Sequence, residues 1–219
     1  LAAVDSSVGG KTAIDLPSGK NLVGAFYQPE LVLCDTDCLN TLPEDVFQDG
    51  CAEVIKYGVL YDEGLFSHLM EEGLHFDREW VITRCVERKR DVVAQDEFDT
   101  GARMKLNLGH TFGHSVEKLS DFSVSHGQAV AIGMAIAARS GYNAGICESN
   151  AKDSILSVLD LFGLPSSTGY DPQDLAACAM SDKKRTGSTV NLIIPERIGF
   201  CRIESVPVES IQSFIEAGL

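Results

Sequence analysis

Residues 42–59, LPEDVFQDGCAEVIKYGV, mark the point where the chain changes character. Pro43 followed by Glu44 and Asp45 reads as a helix start, because proline suits the first turn and acids there face the positive end of the helix dipole. Val46, Cys51, Val54, Ile55 and Val59 then recur at helical spacing. On the N-terminal side, short β-branched or aromatic runs at 11–16, 21–27 and 31–34 alternate with Pro-Ser-Gly and Gln-Pro-Glu turn signals, which is the pattern of strands and loops. On the C-terminal side helices dominate, and the spacing predicts them over 44–60, 62–72, 78–97, 103–120, 127–145, 150–162 and 172–181. Residues 190–195 and 199–204 read as a hairpin around Glu196-Arg197-Ile198, and 208–217 as a closing helix. The expected class is mainly α (α+β), with a strand-rich segment 1–43 ahead of a helical domain 44–219.

Composition narrows the function classes. With 44% hydrophobic and 23% charged residues among 219, the chain has the make-up of an ordinary folded protein. Its longest nearly uniform apolar run, 129–138, falls short of the ~20 residues needed to cross a bilayer, so no transmembrane helix is expected. The N-terminus shows no basic stretch before an apolar core, so no secretory signal peptide is visible in these residues. It begins Leu1-Ala2-Ala3-Val4 in mid-pattern, which suggests a piece of a longer protein. Seven cysteines without a CxxC pair argue against a disulfide framework and against a thiolate zinc cage, and fit buried thiols in a reducing cytoplasm. A net charge of -14 disfavours nucleic acid and anionic membrane surfaces as partners. Several lysines and arginines nevertheless gather inside motifs, as an anionic substrate requires.

Two histidines and one carboxylate are a common ligand set for catalytic zinc, since three protein ligands leave a position open for substrate or water. Glu53, His110 and His126 are of the right types, although such residues in helices are more often solvated or satisfied by hydrogen bonds. On one helix over 103–120, Arg103, Asn107, His110 and His114 lie at offsets 0, 4, 7 and 11, a single face rich in directional donors, while Leu106, Leu108 and Phe112 supply the buried side. Glu53 and Lys56 share a face at i,i+3, the spacing also of an ordinary surface ion pair. His126 opens a charge-poor helix, where it either points into a cleft or caps the helix. Residues 5–12, DSSVGGKT, invite comparison with a phosphate loop, but Asp5 stands where the Walker A pattern needs its first glycine, and a carboxylate there repels phosphate. The glycines still let the backbone approach an anion, with Lys11 supplying charge; Lys20-Asn21 and the cluster 182–185, DKKR, add donors.

Taken together, VDSSVGGKTA (4–13), GKNLVGAFYQP (19–29), LNTLP (39–43), AEVIKYG (52–58), LNLGHTFGH (106–114), HGQAVAIGM (126–134) and DKK (182–184) resemble the 3-dehydroquinate synthase family, in order and over nearly the whole chain. The resemblance implies a helical metal- and substrate-binding domain over 44–219, preceded at 1–43 by the end of an α/β nucleotide-binding domain whose larger part would lie before Leu1. It implies Glu53, His110 and His126 as ligands of Zn2+ (or Co2+). Lys11, Lys20 and the stretch Cys38, Leu39, Asn40 and Thr41 match positions that contact NAD. Asp5, Lys11, Asn21, Lys56, Lys89, Arg103, Asn107, His114 and Lys184 match the substrate pocket, with Lys183 the alternative to Lys184.

The implied chemistry begins with transient oxidation of the substrate's C5 alcohol by NAD, which acidifies the neighbouring C–H so that phosphate leaves. Reduction, ring opening and an intramolecular aldol step then give 3-dehydroquinate from a seven-carbon sugar acid phosphate. Lys11, Asn107, His114 and Lys184 would hold the phosphate, while Lys89 and Arg103 suit a carboxylate. A cytoplasmic homodimer is the implied full-length form. The alternatives are a related sugar phosphate cyclase acting on a carboxylate-free substrate, a metal-dependent polyol dehydrogenase, or a non-catalytic binding or dimerisation module.

Overall fold

The helix expected after Pro43 forms: α1 (Glu44–Tyr61) starts on an extended Pro43 with Glu44 and Asp45 in its first turn. In the computed structural model, which describes residues 1–16, 19–182 and 188–219 apart from the side chains of 15, 19–21, 181 and 182, α1 is buried almost without a break from Gly50 to Leu60. Beside it in chain order come α2 (Glu63–Glu72), α3 (Arg78–Gln95), α4 (His110–Leu119), α5 (His126–Asn143), α6 (Ser149–Leu161), α7 (Pro172–Asp182) and α8 (Ile211–Glu216). α5 is the centre of the fold, touching α1, α4, α6 and α8. Ala129, Ala131, Gly133, Ala135 and Ala137 keep its sides narrow enough for neighbours to pack from several directions.

Among the described residues, two antiparallel hairpins flank the helices. The first two runs form strands, β1 (Lys11–Leu16) and β2 (Gly19–Phe26), paired in the register Lys11↔Phe26 to Leu16↔Gly19. The third expected strand, 31–34, does not form: Leu31 and Leu33 project outward, 81% and 85% exposed, and no described strand pairs with this segment. β3 (Thr189–Arg197) and β4 (Phe200–Pro207) form the second hairpin, longer than its apolar runs suggested. Its tip docks on the end of α1, where Gly199 N–H donates to the Val59 carbonyl at 3.0 Å. The closing helix is shorter than expected, a 3-10 turn over Val208–Ser210 leading into α8.

A second sequence expectation is overturned. Residues 103–120 are not one helix but a 3-10 segment, Ala102–Asn107, followed by an extended Leu108, Gly109 at φ +77° and only then α4. The break has a tertiary cause: the backbone of Gly109 runs against α5, where its carbonyl lies 1.9 Å from the position of a Cβ built on Gly133. A straight helix would carry that backbone elsewhere, and the left-handed φ is one that glycine adopts without a Cβ penalty. Arg103 and Asn107 therefore belong to a different element from His110 and His114.

Asp62 shows how short connections hold the bundle. It caps α2 by accepting from Leu65 N–H at 3.0 Å, and its other oxygen accepts from Arg84 at 2.6 Å and Arg88 at 3.0 Å on α3. Burial pushes its carboxyl up, but the Leu65 amide and the two guanidinium groups outweigh burial and hold it below the ordinary carboxylate range. Its contribution is thus present above about pH 4 and lost as pH falls through the lowered value. Asp62→Ala should lower stability by about 2–3 kcal/mol at pH 7, and Asp62→Asn by less because the amide oxygen can still cap. Urea unfolding followed by circular dichroism tests this; a loss under 0.5 kcal/mol in the alanine variant contradicts it.

Candidate active site

α1 delivers Glu53 and Lys56 on one buried face, α4 begins at His110, and α5 begins at His126. The three elements converge. His110 Nε2 and His126 Nε2 each stand 3.4 Å from the same oxygen of Glu53, Oε1, and the rings of His110 and His126 are 5.4 Å apart. One ligand atom from each of these three residues lies within 4.8 Å of the others, the arrangement of a three-ligand metal site.

The local chemistry fits such an ion. Both Glu53 oxygens are buried, and among the described residues Oε1 meets no aligned hydrogen-bond donor, an arrangement costing on the order of 1–3 kcal/mol for an orphaned group. The Lys56 ammonium lies against Oε2. Burial pushes the Glu53 carboxyl up, but Lys56 and the two imidazoles hold it well below its ordinary value, so it is an anion at neutral pH. Burial, reinforced by Lys56, pushes His110 down to about 3, which keeps the ring neutral. Its Nδ1 faces the Leu108 carbonyl at 3.0 Å, so the proton sits there and the Nε2 lone pair faces Glu53. His126 is raised instead, chiefly by its contact with Glu53.

Whether His126 caps its helix is now decided. It is the first residue of α5, and the cap comes from α1: Asp49 Oδ1 accepts from Gln128 N–H at 2.9 Å and from the Ser125 hydroxyl. Asp49 lies one turn before Glu53, so a single helix both carries a candidate ligand and fixes the helix end that carries another. Sequence reasoning missed Asp49, because only tertiary structure brings residues 49 and 125–128 together. It also missed Glu117 of α4, which faces His126 Nδ1 at 3.3 Å. The available signal was spacing, since His110, His114 and Glu117 lie at offsets 0, 4 and 7.

Lys56 touches this centre, and two more buried cations, Lys89 and Arg103, stand on neighbouring segments. Lys56, Lys89 and Arg103 are 2%, 9% and 2% exposed, an unusual density of buried positive charge in a chain of net charge -14. Lys89 Nζ donates to the Asp5 carbonyl at 2.6 Å and lies 3.5 Å from its carboxylate; Tyr57 Oη contacts the same carboxylate at 3.3 Å. Burial first, then the neighbouring charges of Lys56 and Arg103, push the Lys89 ammonium below its ordinary value against the pull of Asp5. Arg103 donates through Nη1 to the Glu97 carbonyl at 2.6 Å and through Nη2 to the Gly9 carbonyl at 2.9 Å, fastening the glycine loop to the segment after α3.

The remaining sequence candidates are distributed differently. His114 is half exposed one turn beyond His110, their rings 5.4 Å apart, and Asn107 is exposed at the end of the 3-10 segment. Lys11 opens β1 and pairs with Asp99 at 2.5 Å. Cys38, Leu39, Asn40 and Thr41 form a 3-10 turn in which Leu39 is buried, Cys38 is exposed and Asn40 accepts from Arg78 at 2.7 Å. Lys20 and Asn21 lie in β2, but their side chains are outside the described residues, as are Lys183 and Lys184 altogether. Cys51 and Cys147 are buried thiols, pushed up by burial to about 12 and about 11, which leaves them protonated. Among the described residues no helix is long and apolar enough to cross a membrane.

Comparison with known proteins places this geometry. The family described as 3-dehydroquinate synthase C-terminal matches residues 50–185, and that described as 3-dehydroquinate synthase N-terminal matches residues 1–49. The chain is 45% identical to a 3-dehydroquinate synthase of Pelobacter propionicus, over 96% of this chain and 61% of that protein. It is 42% identical to a 3-dehydroquinate synthase of Vibrio atlanticus, over 99% of this chain and 62% of that one. The chain thus spans about three-fifths of the length of these relatives. In fold it is similar to 2-deoxy-scyllo-inosose synthase complexed with carbaglucose-6-phosphate, NAD+ and Co2+, with a TM-score of 0.86 at 24% identity over 100% of this chain and 65% of that one.

Proposed function

The chain belongs to the 3-dehydroquinate synthase family, and from that premise we propose that its protein converts 3-deoxy-D-arabino-heptulosonate 7-phosphate to 3-dehydroquinate and phosphate. Residues 44–219 then form the metal- and substrate-binding domain and 1–43 the end of an NAD-binding domain. The protein works in the cytoplasm as a homodimer. The observation that carries this reading is the convergence of both imidazole Nε2 atoms on Glu53 Oε1 beside the buried cations Lys56, Lys89 and Arg103.

Glu53, His110 and His126 would hold a zinc-class ion. When bound, the metal supplies Lewis acidity toward substrate hydroxyls, and NAD, held in part by Lys11, Lys20 and 38–41, supplies a reversible hydride acceptor. The chain's own residues bind and orient. Lys11, Asn107, His114 and Lys184 carry the phosphate's charge as it departs, and Asp5 and Asn21 position the sugar. Lys56 keeps Glu53 anionic. Lys89 and Arg103 hold the carboxylate, and their burial excludes the water that would screen them. Holding the opened substrate in one conformation favours the intramolecular closure over side reactions.

A second reading has a specific observation behind it. Arg103 already spends Nη1 and Nη2 on backbone carbonyls, which suits a positioning role and a sugar phosphate cyclase whose substrate lacks a carboxylate. Phosphate release separates the two. The full-length protein, supplied with NAD and Zn2+, is expected to release phosphate from the seven-carbon acid phosphate at least ~100-fold faster, in kcat/KM, than from a hexose 6-phosphate, about 2.7 kcal/mol of discrimination. The reverse preference favours the second reading. Residues 1–219 alone are expected to release none from either, and turnover at the full-length rate by this segment would contradict the domain assignment.

A further inference from the structure

Glu117 stands with His114 and His126 in a second group whose ligand atoms lie within 4.8 Å of one another, but this group shares His126 with the Glu53, His110 and His126 set, whose Nε2 atoms already converge on Glu53. Glu117 is a carboxylate on α4 with only 9% of its surface exposed. Its Oε1 lies 3.3 Å from His126 Nδ1, while the opposite ring nitrogen, Nε2, faces Glu53. Its Oε2 lies 4.0 Å from His114 Nε2, so one buried carboxylate faces both histidines. The turn from α4 to α5 is built around it: the Glu117 carbonyl accepts from Phe122 N–H and from the Ser120 hydroxyl, each at 2.8 Å. Asp121 and Phe122 both take left-handed backbone angles, φ +52° and +59°, in that turn. Non-glycine residues rarely adopt such angles, and consecutive ones persist where surrounding contacts hold them. The connection is therefore shaped to return the chain within nine residues, from Glu117 to His126.

We propose that Glu117 is the positioning residue of the metal centre: by accepting from Nδ1–H of His126 it fixes the tautomer and ring orientation that turn the Nε2 lone pair toward Glu53 and His110. The need is particular to His126. His110 has a backbone carbonyl on its Nδ1 and a side chain only 16% exposed, whereas the His126 side chain is 47% exposed and its Nδ1 faces Glu117 instead of a backbone carbonyl. A carboxylate partner also raises the basicity of the coordinating nitrogen, which a carbonyl does less. This inference rests on the proposed ligand set, and its test must be able to fail separately.

Co2+ binding by competition with a chromophoric chelator, and the visible absorption of the bound Co2+, read the site without turnover. Glu117→Ala in the full-length protein is expected to weaken Co2+ binding 10- to 100-fold and to change the Co2+ bands, with the metal-free melting curve little altered. Glu117→Gln keeps an oxygen that can accept from Nδ1–H but lacks the charge, and is expected to fall between wild type and alanine; it also decides the matter should the alanine variant not fold. His110→Ala serves as reference. If it abolishes binding while both Glu117 variants bind within twofold of wild type with unchanged spectra, the positioning role is wrong and the ligand set stands. If His110→Ala binds as wild type does, the ligand set itself fails, and the inference with it.

Discussion

A His110→Ala, His126→Ala double variant is expected to lose metal almost completely. Structural and catalytic metal sites built from side chains bind with free energies of order ten kcal/mol, shared among few ligands, so deleting two of three should remove at least about 4 kcal/mol, or a thousandfold in affinity. The geometry makes compensation difficult. Both Nε2 atoms face one oxygen of Glu53, and with the two imidazoles gone Glu53 is left beside Lys56, whose ammonium repels a second cation. His114 stands close, its Nε2 4.0 Å from Glu117 Oε2, but the second cluster it belongs to also needs His126 and is broken by the same double substitution. Elemental analysis after dialysis reads the result directly, and stoichiometric metal retained in the double variant would overturn the ligand assignment.

Gly133→Ala should damage fold and site together. A Cβ at 133 would sit 1.9 Å from the Gly109 carbonyl oxygen and within 3.0 Å of two more backbone atoms of Gly109, none of which can rotate away as a side-chain tip could. Either α5 or the start of α4 must move. Since the next residue after Gly109 is His110 and α5 begins with His126, the same displacement spreads the two imidazoles. Overpacking of this kind typically costs 1–3 kcal/mol, and a backbone obstacle belongs at or above the top of that range. For a chain of this length ~3 kcal/mol corresponds to a fall of roughly 6–12 °C in Tm. Gly169→Ala is the control, because a Cβ there meets nothing within 4 Å, and it should stay within about 0.5 kcal/mol of wild type. A Gly133→Ala protein melting with the control would show that the α4–α5 approach is less tight than the backbone implies.

Much of the architecture was legible because it depends on local periodicity. Pro43-Glu44-Asp45 marks the true start of α1, and the charge-poor run after His126 forms the buried central helix. Periodicity is a property of neighbours in sequence, so it failed where a neighbour in space intervened. The spacing of Arg103, Asn107, His110 and His114 is that of one helical face, yet the backbone leaves the helix at Gly109 to pass against Gly133. Lys56 illustrates the same limit: at i,i+3 from Glu53 it could equally have been a surface partner, and it is the packing around α1 that buries the pair.

What the sequence determined by itself was the set of helices, the helical class, and the residue types able to hold a metal and an anionic substrate, since side-chain period and donor chemistry are written residue by residue. Tertiary structure alone decided that Asp49 caps α5 in place of His126, that Glu117 stands behind His126, and that Arg103 fastens a loop through two carbonyls. These contacts join residues 6 to 94 positions apart. Such contacts follow from how whole helices stack, and stacking is set by the summed volumes and close approaches of many side chains, which no single stretch of sequence contains.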